Sequence, residues 1–103
     1  MRNFKDTLET LPNADHIKEI KLFDSDGYEF GNIKNQPGAK GSIKLYNYLF
    51  IIFGKLDHQA AKKGLDLYCE HVVEAQDNPG KHPNIDRLIN IHKTKKTYVI
   101  EII

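Results

Sequence analysis

The strongest constraint on the fold of this 103-residue chain is a turn that occurs twice with the same spacing. Residues 37–43 and 79–85 both read Pro-Gly-x-x-x-polar-Ile, and the polar residue is Ser42 in the first copy and Asn84 in the second. A Pro-Gly pair ends the element that precedes it, and serine and asparagine can cap the free N–H groups of a helix N-terminus. Each of these two Pro-Gly segments therefore predicts a turn followed by a helix that its polar residue caps.

The spacing of apolar residues predicts the elements around these two turns. Apolar residues at helical spacing predict a short helix over residues 3–11. Alternation of apolar and polar residues on either side of a polar turn predicts a β-hairpin over residues 17–33. Residues 42–53 are apolar on most sides, which is typical of a buried central helix. The β-branched run at residues 97–103 predicts a strand.

Two further helices complete the predicted fold. Asp57 is a suitable N-cap for an amphipathic helix over residues 58–76, and the second Pro-Gly segment introduces a third main helix. The predicted order is α-β-β-α-α-α-β, without a linker, so we expect a single domain over residues 1–103. The simplest assembly is an α+β fold in which the hairpin and the C-terminal strand form a small antiparallel sheet covered by the three main helices.

Composition excludes several classes of protein. The chain lacks the ~20 consecutive apolar residues that span a bilayer, and residues 1–6 lack the apolar segment of a signal peptide. Cys69 is the only cysteine, so an internal disulfide is excluded and a reducing cytoplasm fits best. Residues 93–96 are basic, but a net charge of +1 disfavours a nucleic-acid partner. We therefore expect a cytoplasmic protein that binds neither membranes nor nucleic acid.

The two Pro-Gly segments also suggest a binding site for an anion. The free N–H groups and the dipole of a helix N-terminus favour negative charge, and each segment contains a lysine that would add to this effect. Turn formation and capping alone also account for these residue types, so that alternative stays open. The residues predicted to form an anion site are Lys40, Ser42, Lys81, His82, Asn84 and Arg87.

Catalytic and metal-binding patterns are weak in this sequence. Glu70, His71 and Glu74 could converge on one side of a helix, but their order is the reverse of a Glu-x-x-His metal motif. Cys69 falls on the inward side of its predicted helix, and no Ser-His-Asp or Cys-His arrangement accompanies it. We therefore predict no catalytic residue, no metal ligand and no cofactor, and an enzyme of unrecognised type is the third interpretation.

Apolar features favour a role in protein interaction. The C-terminal strand carries little charge, so at a sheet edge it could pair with another chain. Small residues on one side of the 58–76 helix would permit close approach of a partner. The favoured function is a non-catalytic interaction or regulatory module whose partner is another protein or, in a homodimer, a second copy, and the anion site is the alternative. The residues predicted for the interaction surface are Gly64, Leu67, Tyr98, Ile100 and Ile102.

Several stretches together carry a resemblance to a known family. The chain resembles an uncharacterised family of small bacterial proteins, a domain of unknown function. This resemblance implies a bacterial cytoplasmic protein, and it carries no activity, substrate or catalytic residue. The matching stretches are residues 3–6, 41–47, 53–54, 63–68, 70–71 and 78–88.

Overall fold

The computed structural model describes residues 3–103 and has an α+β fold, as predicted. Met1 and Arg2, which belong to the predicted polar N-terminus, lie outside the described residues. The predicted element order is confirmed, except that the helix predicted over residues 58–76 is divided into two. The elements are α1 (Phe4–Glu9), β1 (Glu19–Phe23), β2 (Glu29–Lys34), α2 (Lys40–Phe53), α3 (His58–Tyr68), α4 (His71–Asp77), α5 (Pro83–Thr94) and β3 (Val99–Ile102).

The three strands form an antiparallel sheet in the order β2-β1-β3, which confirms that the C-terminal strand joins the hairpin. Ile20 in the central strand pairs with Ile33 on one side and with Ile102 on the other. Successive side chains of a strand point to opposite faces, so Ile20 and Leu22 lie on one face and both are fully buried. That face packs against the helices.

Helix α2 lies at the centre of the core, as its apolar sequence predicts. Leu45, Tyr46 and Leu49 are fully buried along it. Helix α3 approaches α2 and α5 closely at Gly64, where a Cβ atom would lie 2.7 Å from Leu88 Cδ1 and 3.0 Å from Leu49 Cδ1. The absence of a side chain at Gly64 therefore sets the distance between the three helices.

The predicted 58–76 helix is interrupted at Cys69, whose backbone has a φ of 56°. A positive φ is uncommon for a residue with a Cβ atom, and the residue type gives no signal for it. Contacts with α1 hold this break: Glu70 Oε1 accepts the N–H of Phe4 at 2.9 Å, and Cys69 Sγ lies 3.6 Å from Thr7 Oγ1. The break therefore fixes α1, and Phe4 with it, against the start of α4.

Helices α2 and α5 both begin before the polar residue predicted to cap them. Ser42 is the third residue of α2 and Asn84 the second of α5, so the predicted capping role is wrong for both. Pro83 has the φ value that suits a first helical position, and a turn at Gly38 (φ 91°) starts α2 early. The N-cap positions are Ala39 and His82, and neither side chain caps the helix.

The described part of the chain has no helix with both the length and the apolar content needed to cross a membrane.

Candidate anion-binding pocket

A cavity of about 380 Å³ opens between the first turns of α2 and α5. The two Pro-Gly segments, which are far apart in sequence, therefore meet at one place in the fold. Side chains from α1 and from the junction of α3 with α4 complete the walls. The lining residues are Phe4, Gly38, Gly41, Ser42, Tyr68, His71, Lys81, His82, Pro83, Asn84 and Ile85.

Both helix N-termini at this pocket lack a side-chain cap. The first N–H groups of a helix generally have no acceptor within the helix, and they carry a partial positive charge that the dipole reinforces. At α5 this leaves the N–H of Asn84, because Pro83 has no N–H and the N–H of Ile85 donates to His82 O at 3.0 Å. Gly41 and Ser42 of α2 face the same cavity as Asn84 and Ile85 of α5. The pocket is therefore an electropositive environment even before its charged side chains are considered.

One wall of the pocket is a cluster in which three basic side chains surround Glu74. Lys81 Nζ donates to Glu74 Oε1 at 3.1 Å, and His82 Nε2 lies 3.4 Å from the same oxygen. His71 Nδ1 lies 3.8 Å from the other carboxylate oxygen. The hydrogen bond from Lys81, with a further contribution from His82, holds the pKa of Glu74 below its usual range. Glu74 stands behind the lining residues and positions the basic groups that face the cavity.

His82 Nε2 is a buried polar atom without a hydrogen-bond partner among the described residues. Its contact with Glu74 has the distance of an ion pair but not the geometry of a hydrogen bond. Unsatisfied buried polar atoms are rare in folded proteins, and a bound water or ion is one explanation for them. The cluster is thus only partly satisfied by its own residues.

Another part of the pocket lining is aromatic. The Phe4 ring stacks on Tyr68 with centroids 5.1 Å apart, and it meets His71 edge to face at the same distance. Tyr68 OH and Ser42 Oγ share a hydrogen bond of 2.7 Å. Burial raises the pKa of Tyr68 well above its ordinary value, so this phenol is neutral and cannot act as a base that activates Ser42. Tyr68 therefore gives Ser42 a hydrogen-bond partner but no general base.

Comparison with known proteins places this architecture in a family. The family model described as an uncharacterised protein conserved in bacteria, DUF2322, matches residues 4–102. The chain belongs to the DUF2322 family. The resemblance inferred from the sequence is therefore confirmed. A search of curated proteins finds no match to the chain, and a search of solved structures also finds none.

In this DUF2322 protein, four of the six residues predicted to form the anion site line the pocket. These are Ser42, Lys81, His82 and Asn84. Lys40 lines a separate cavity of about 290 Å³, and its Nζ lies 3.4 Å from Asn35 Oδ1. The two lysines predicted for one anion site therefore line two different cavities.

Arg87, the sixth predicted residue, does not line the pocket but supports its floor. Arg87 Nη1 donates to Asn84 Oδ1 at 3.0 Å and to Tyr46 OH at 3.1 Å. Tyr46 OH in turn donates to the backbone oxygen of Asn84 at 2.6 Å. This network fixes the first turn of α5 from behind, so Arg87 has a structural role in positioning Asn84.

The buried Tyr46 makes the protein sensitive to alkaline pH. Burial raises its pKa from 10.0 to about 12. Between these values the unfolded chain loses a proton that the folded chain keeps, so the free energy of unfolding falls as pH rises. The contribution of Tyr46 to the free energy of unfolding is fully present below pH 10 and is lost as the pH rises to about 12. Its size is about 3 kcal/mol, which corresponds to a difference of two pKa units. Urea unfolding across this window measures it. Tyr46→Phe should remove the part of the loss that comes from Tyr46 and keep the part that comes from Tyr68, whose pKa burial also raises. Tyr28→Phe, at a residue that is 73% exposed, should leave the whole loss unchanged.

The sequence did not indicate the three lining residues that lie outside the two Pro-Gly segments, or the carboxylate of Glu74 behind them. Phe4 reaches the pocket only because the break at Cys69 holds α1 there, and no local pattern indicates this. Tyr68 looks like an ordinary residue of the apolar stripe on α3. The spacing of one helical turn between His71 and Glu74 indicated that these two side chains could meet. The sequence did not indicate that Lys81 also contacts Glu74.

The residues predicted for an interaction surface are mostly inside the DUF2322 fold. Gly64, Leu67, Tyr98 and Ile100 are buried, and Ile102 is half-buried. Tyr98 stacks on Phe30 with ring centroids 4.1 Å apart. These side chains are occupied by contacts within the chain, so they do not provide a free surface for a partner.

Within residues 3–103, no three metal-ligating side chains of the His, Cys, Asp or Glu type are close enough together to hold a metal ion.

Proposed function

We propose that this DUF2322 protein binds a small anionic molecule in the pocket between α2 and α5. The observation that carries the proposal is the convergence of two helix N-termini, both without side-chain caps, with Lys81 on a single cavity. Each N-terminus is equivalent to roughly half a positive charge. Phosphate, sulfate and carboxylate groups are the usual ligands of such an arrangement.

The shape of the pocket supports a molecule larger than an inorganic ion. A volume of about 380 Å³ falls within the range of small-molecule sites, roughly 300–1,000 Å³. The same pocket is lined by the aromatic rings of Phe4 and Tyr68 and by the basic side chains of Lys81 and His82. A ligand with an anionic group at one end and an apolar or planar part at the other satisfies both walls.

Thermal unfolding in the presence of anions tests this proposal. A ligand at about 100 times its Kd should stabilise the folded state by about 2.7 kcal/mol, which raises the Tm by several degrees. Phosphate, sulfate and organic phosphates should raise the Tm more than chloride at equal ionic strength. Lys81→Ala should lose most of the shift, whereas Lys40→Ala, a matched control in the other Pro-Gly segment, should keep it. Equal shifts for all salts would contradict the proposal.

Self-association is a second candidate function, favoured by two exposed apolar side chains near the end of α2. Ile51 and Ile52 are 54% and 55% exposed. A second copy of this chain could cover them in an isologous contact, where the same patch serves both subunits. Light scattering tests this candidate: a mass above 11.9 kDa that falls to 11.9 kDa in Ile51→Lys supports it, and a monomer in the unmutated protein contradicts it.

The cytoplasm is our proposed location, supported by the single free cysteine.

A further inference from the structure

Among the described residues, fixed negative charges around the pocket outnumber the fixed positive charge that lines it. Lys81 is the one described lining residue with a permanent charge, and Glu74 neutralises it at 3.1 Å. The carboxylate of Glu70 accepts the N–H of Phe4, and Asp86 Oδ2 accepts the N–H of Gly80 at 2.9 Å.

The other elements that pack around the pocket do not change this balance. Helix α1 contributes the uncharged Phe4 and α2 the uncharged Ser42 to the lining, and Arg87 of α5 points into the network behind the floor. With neutral imidazoles, the side chains of residues 3–103 therefore provide no excess positive charge for an anion.

Two histidines can supply the missing charge. The His71 and His82 rings both line the cavity, with centroids 6.2 Å apart. Each points one nitrogen towards Glu74, Nδ1 for His71 and Nε2 for His82. The two nitrogens of an imidazole lie on different sides of the ring, so His71 Nε2 and His82 Nδ1 point away from Glu74. A protonated imidazole carries an N–H on each nitrogen, so the nitrogen that faces away from Glu74 is available to donate to a ligand.

We infer that the ligand of this pocket is a phosphate monoester in its dianionic form, and that its binding is coupled to protonation of His71 and His82. This inference rests on the proposed anion-binding function. Two imidazolium groups balance the two charges of the phosphate. Its three terminal oxygens can accept from Lys81, from the histidines and from the two helix N-termini, which are more donors than the two oxygens of a carboxylate can satisfy. The aromatic wall leaves room for the organic substituent.

Calorimetric titration at two pH values tests the coupling. Sulfate stays doubly charged across the imidazole range, so any pH dependence of its binding belongs to the protein. We expect sulfate to bind at least about tenfold more tightly near pH 5.5 than near pH 8, the interval over which imidazole changes charge. Titration in two buffers of different ionisation enthalpy should show net proton uptake on binding. Phenyl phosphate should bind more tightly than inorganic phosphate because its ring reaches the aromatic wall.

Three variants test which side chains take up protons when sulfate binds. The double substitution His71→Gln with His82→Gln should abolish both the pH dependence and the proton uptake. His16→Gln, at an exposed histidine that does not line the pocket, is the matched control and should keep both. Glu74→Gln frees Lys81 from its counter-charge, so it should tighten binding near pH 8 and reduce the difference between the two pH values.

The outcomes separate this inference from the function on which it rests. Sulfate binding of equal strength at both pH values, without proton uptake, would overturn the inference and leave anion binding intact. If phenyl phosphate binds no more tightly than inorganic phosphate, the assignment of the ligand as a phosphate ester is overturned. Failure of every anion to bind at either pH would overturn the proposed function itself. If the double histidine variant does not fold, the number of protons that the unmutated protein takes up on binding sulfate is sufficient to test the inference.

Discussion

Replacing Lys81 by glutamate is expected to reduce the affinity for phosphate or sulfate by about 100-fold. Lys81 lines the pocket beside the N-terminus of α5, and its Nζ donates a charge-assisted hydrogen bond to Glu74. We expect the same ammonium group to donate to a bound anion. Loss of a hydrogen bond to a charged group costs about 1.5–3 kcal/mol, and a carboxylate in the same place adds repulsion. Since about 1.4 kcal/mol changes a binding constant tenfold, the neutral variant Lys81→Met should lose about tenfold and the reversed charge about 100-fold.

The matched control for this prediction is Lys40→Glu. It makes the same change of charge in the first Pro-Gly segment, but Lys40 lines a different cavity. Isothermal titration with sulfate should find its affinity close to that of the unmutated protein. A similar loss in both variants would mean that only net charge matters, and a loss of less than about threefold for Lys81→Glu would remove Lys81 from the site.

Gly64→Leu is expected to destabilise the fold by about 3 kcal/mol or more. A Cβ atom at this position already lies 2.7 Å from Leu88 Cδ1 and 3.0 Å from Leu49 Cδ1. Both leucines are fully buried, so the extra side chain has no space to enter and the helices must separate. Overpacking a core costs about 1–3 kcal/mol for added methylenes, and a leucine adds a complete side chain.

Urea unfolding measures this loss against a neighbouring substitution on the same helix. Lys63→Leu introduces the same side chain at an exposed position of α3, where changes stay within about 0.5 kcal/mol. A Gly64→Leu variant as stable as Lys63→Leu would show that α3 does not approach α2 and α5 as closely as described. Because the same approach brings Tyr68 to Ser42, we also expect this variant to lose anion binding.

The sequence was sufficient for the fold because the signals that determine it are local. Asp57 caps α3 by accepting the N–H of Ala60 at 2.9 Å, as its residue type predicts. Gly54 ends α2 with a φ of 72°, a conformation that glycine adopts without strain. The alternation of the hairpin placed Ile20 and Leu22 on the buried face. Each of these features depends on residues close in sequence.

The break at Cys69 could not be predicted because it depends on contacts between distant residues. Glu70 and Cys69 contact Phe4 and Thr7 of α1, more than 60 positions away in sequence. An amphipathic pattern that continues through the break gives no indication of it. The aromatic wall of the pocket follows from this break, so it was missed as well.

The two lysines of the Pro-Gly segments illustrate the limit of spacing arguments. Lys81 lies in the turn before the N-cap of α5, and its side chain therefore reaches the front of that helix. Lys40 is already the first residue of α2, and its side chain extends sideways to Asn35. Relative to the first helical residue the two lysines differ by two positions, since Lys81 precedes Pro83 by two residues. One of these positions is visible in the sequence, because Lys40 follows Pro37 by three residues and Lys81 follows Pro79 by two. The other arises because α5 begins one residue later in its segment than α2, and the sequence predicted the turns but not this difference.

An NMR titration of the nitrogen-labelled protein with phenyl phosphate tests the shared pocket directly. We expect saturable shifts of the backbone amide signals of Gly41, Ser42, Asn84 and Ile85, which belong to two segments distant in sequence. The amide of Asp57, at the separate N-terminus of α3 that its own side chain caps, should not move. Shifts confined to one segment, or scattered over the basic residues 93–96, would contradict a shared pocket between the two helix N-termini.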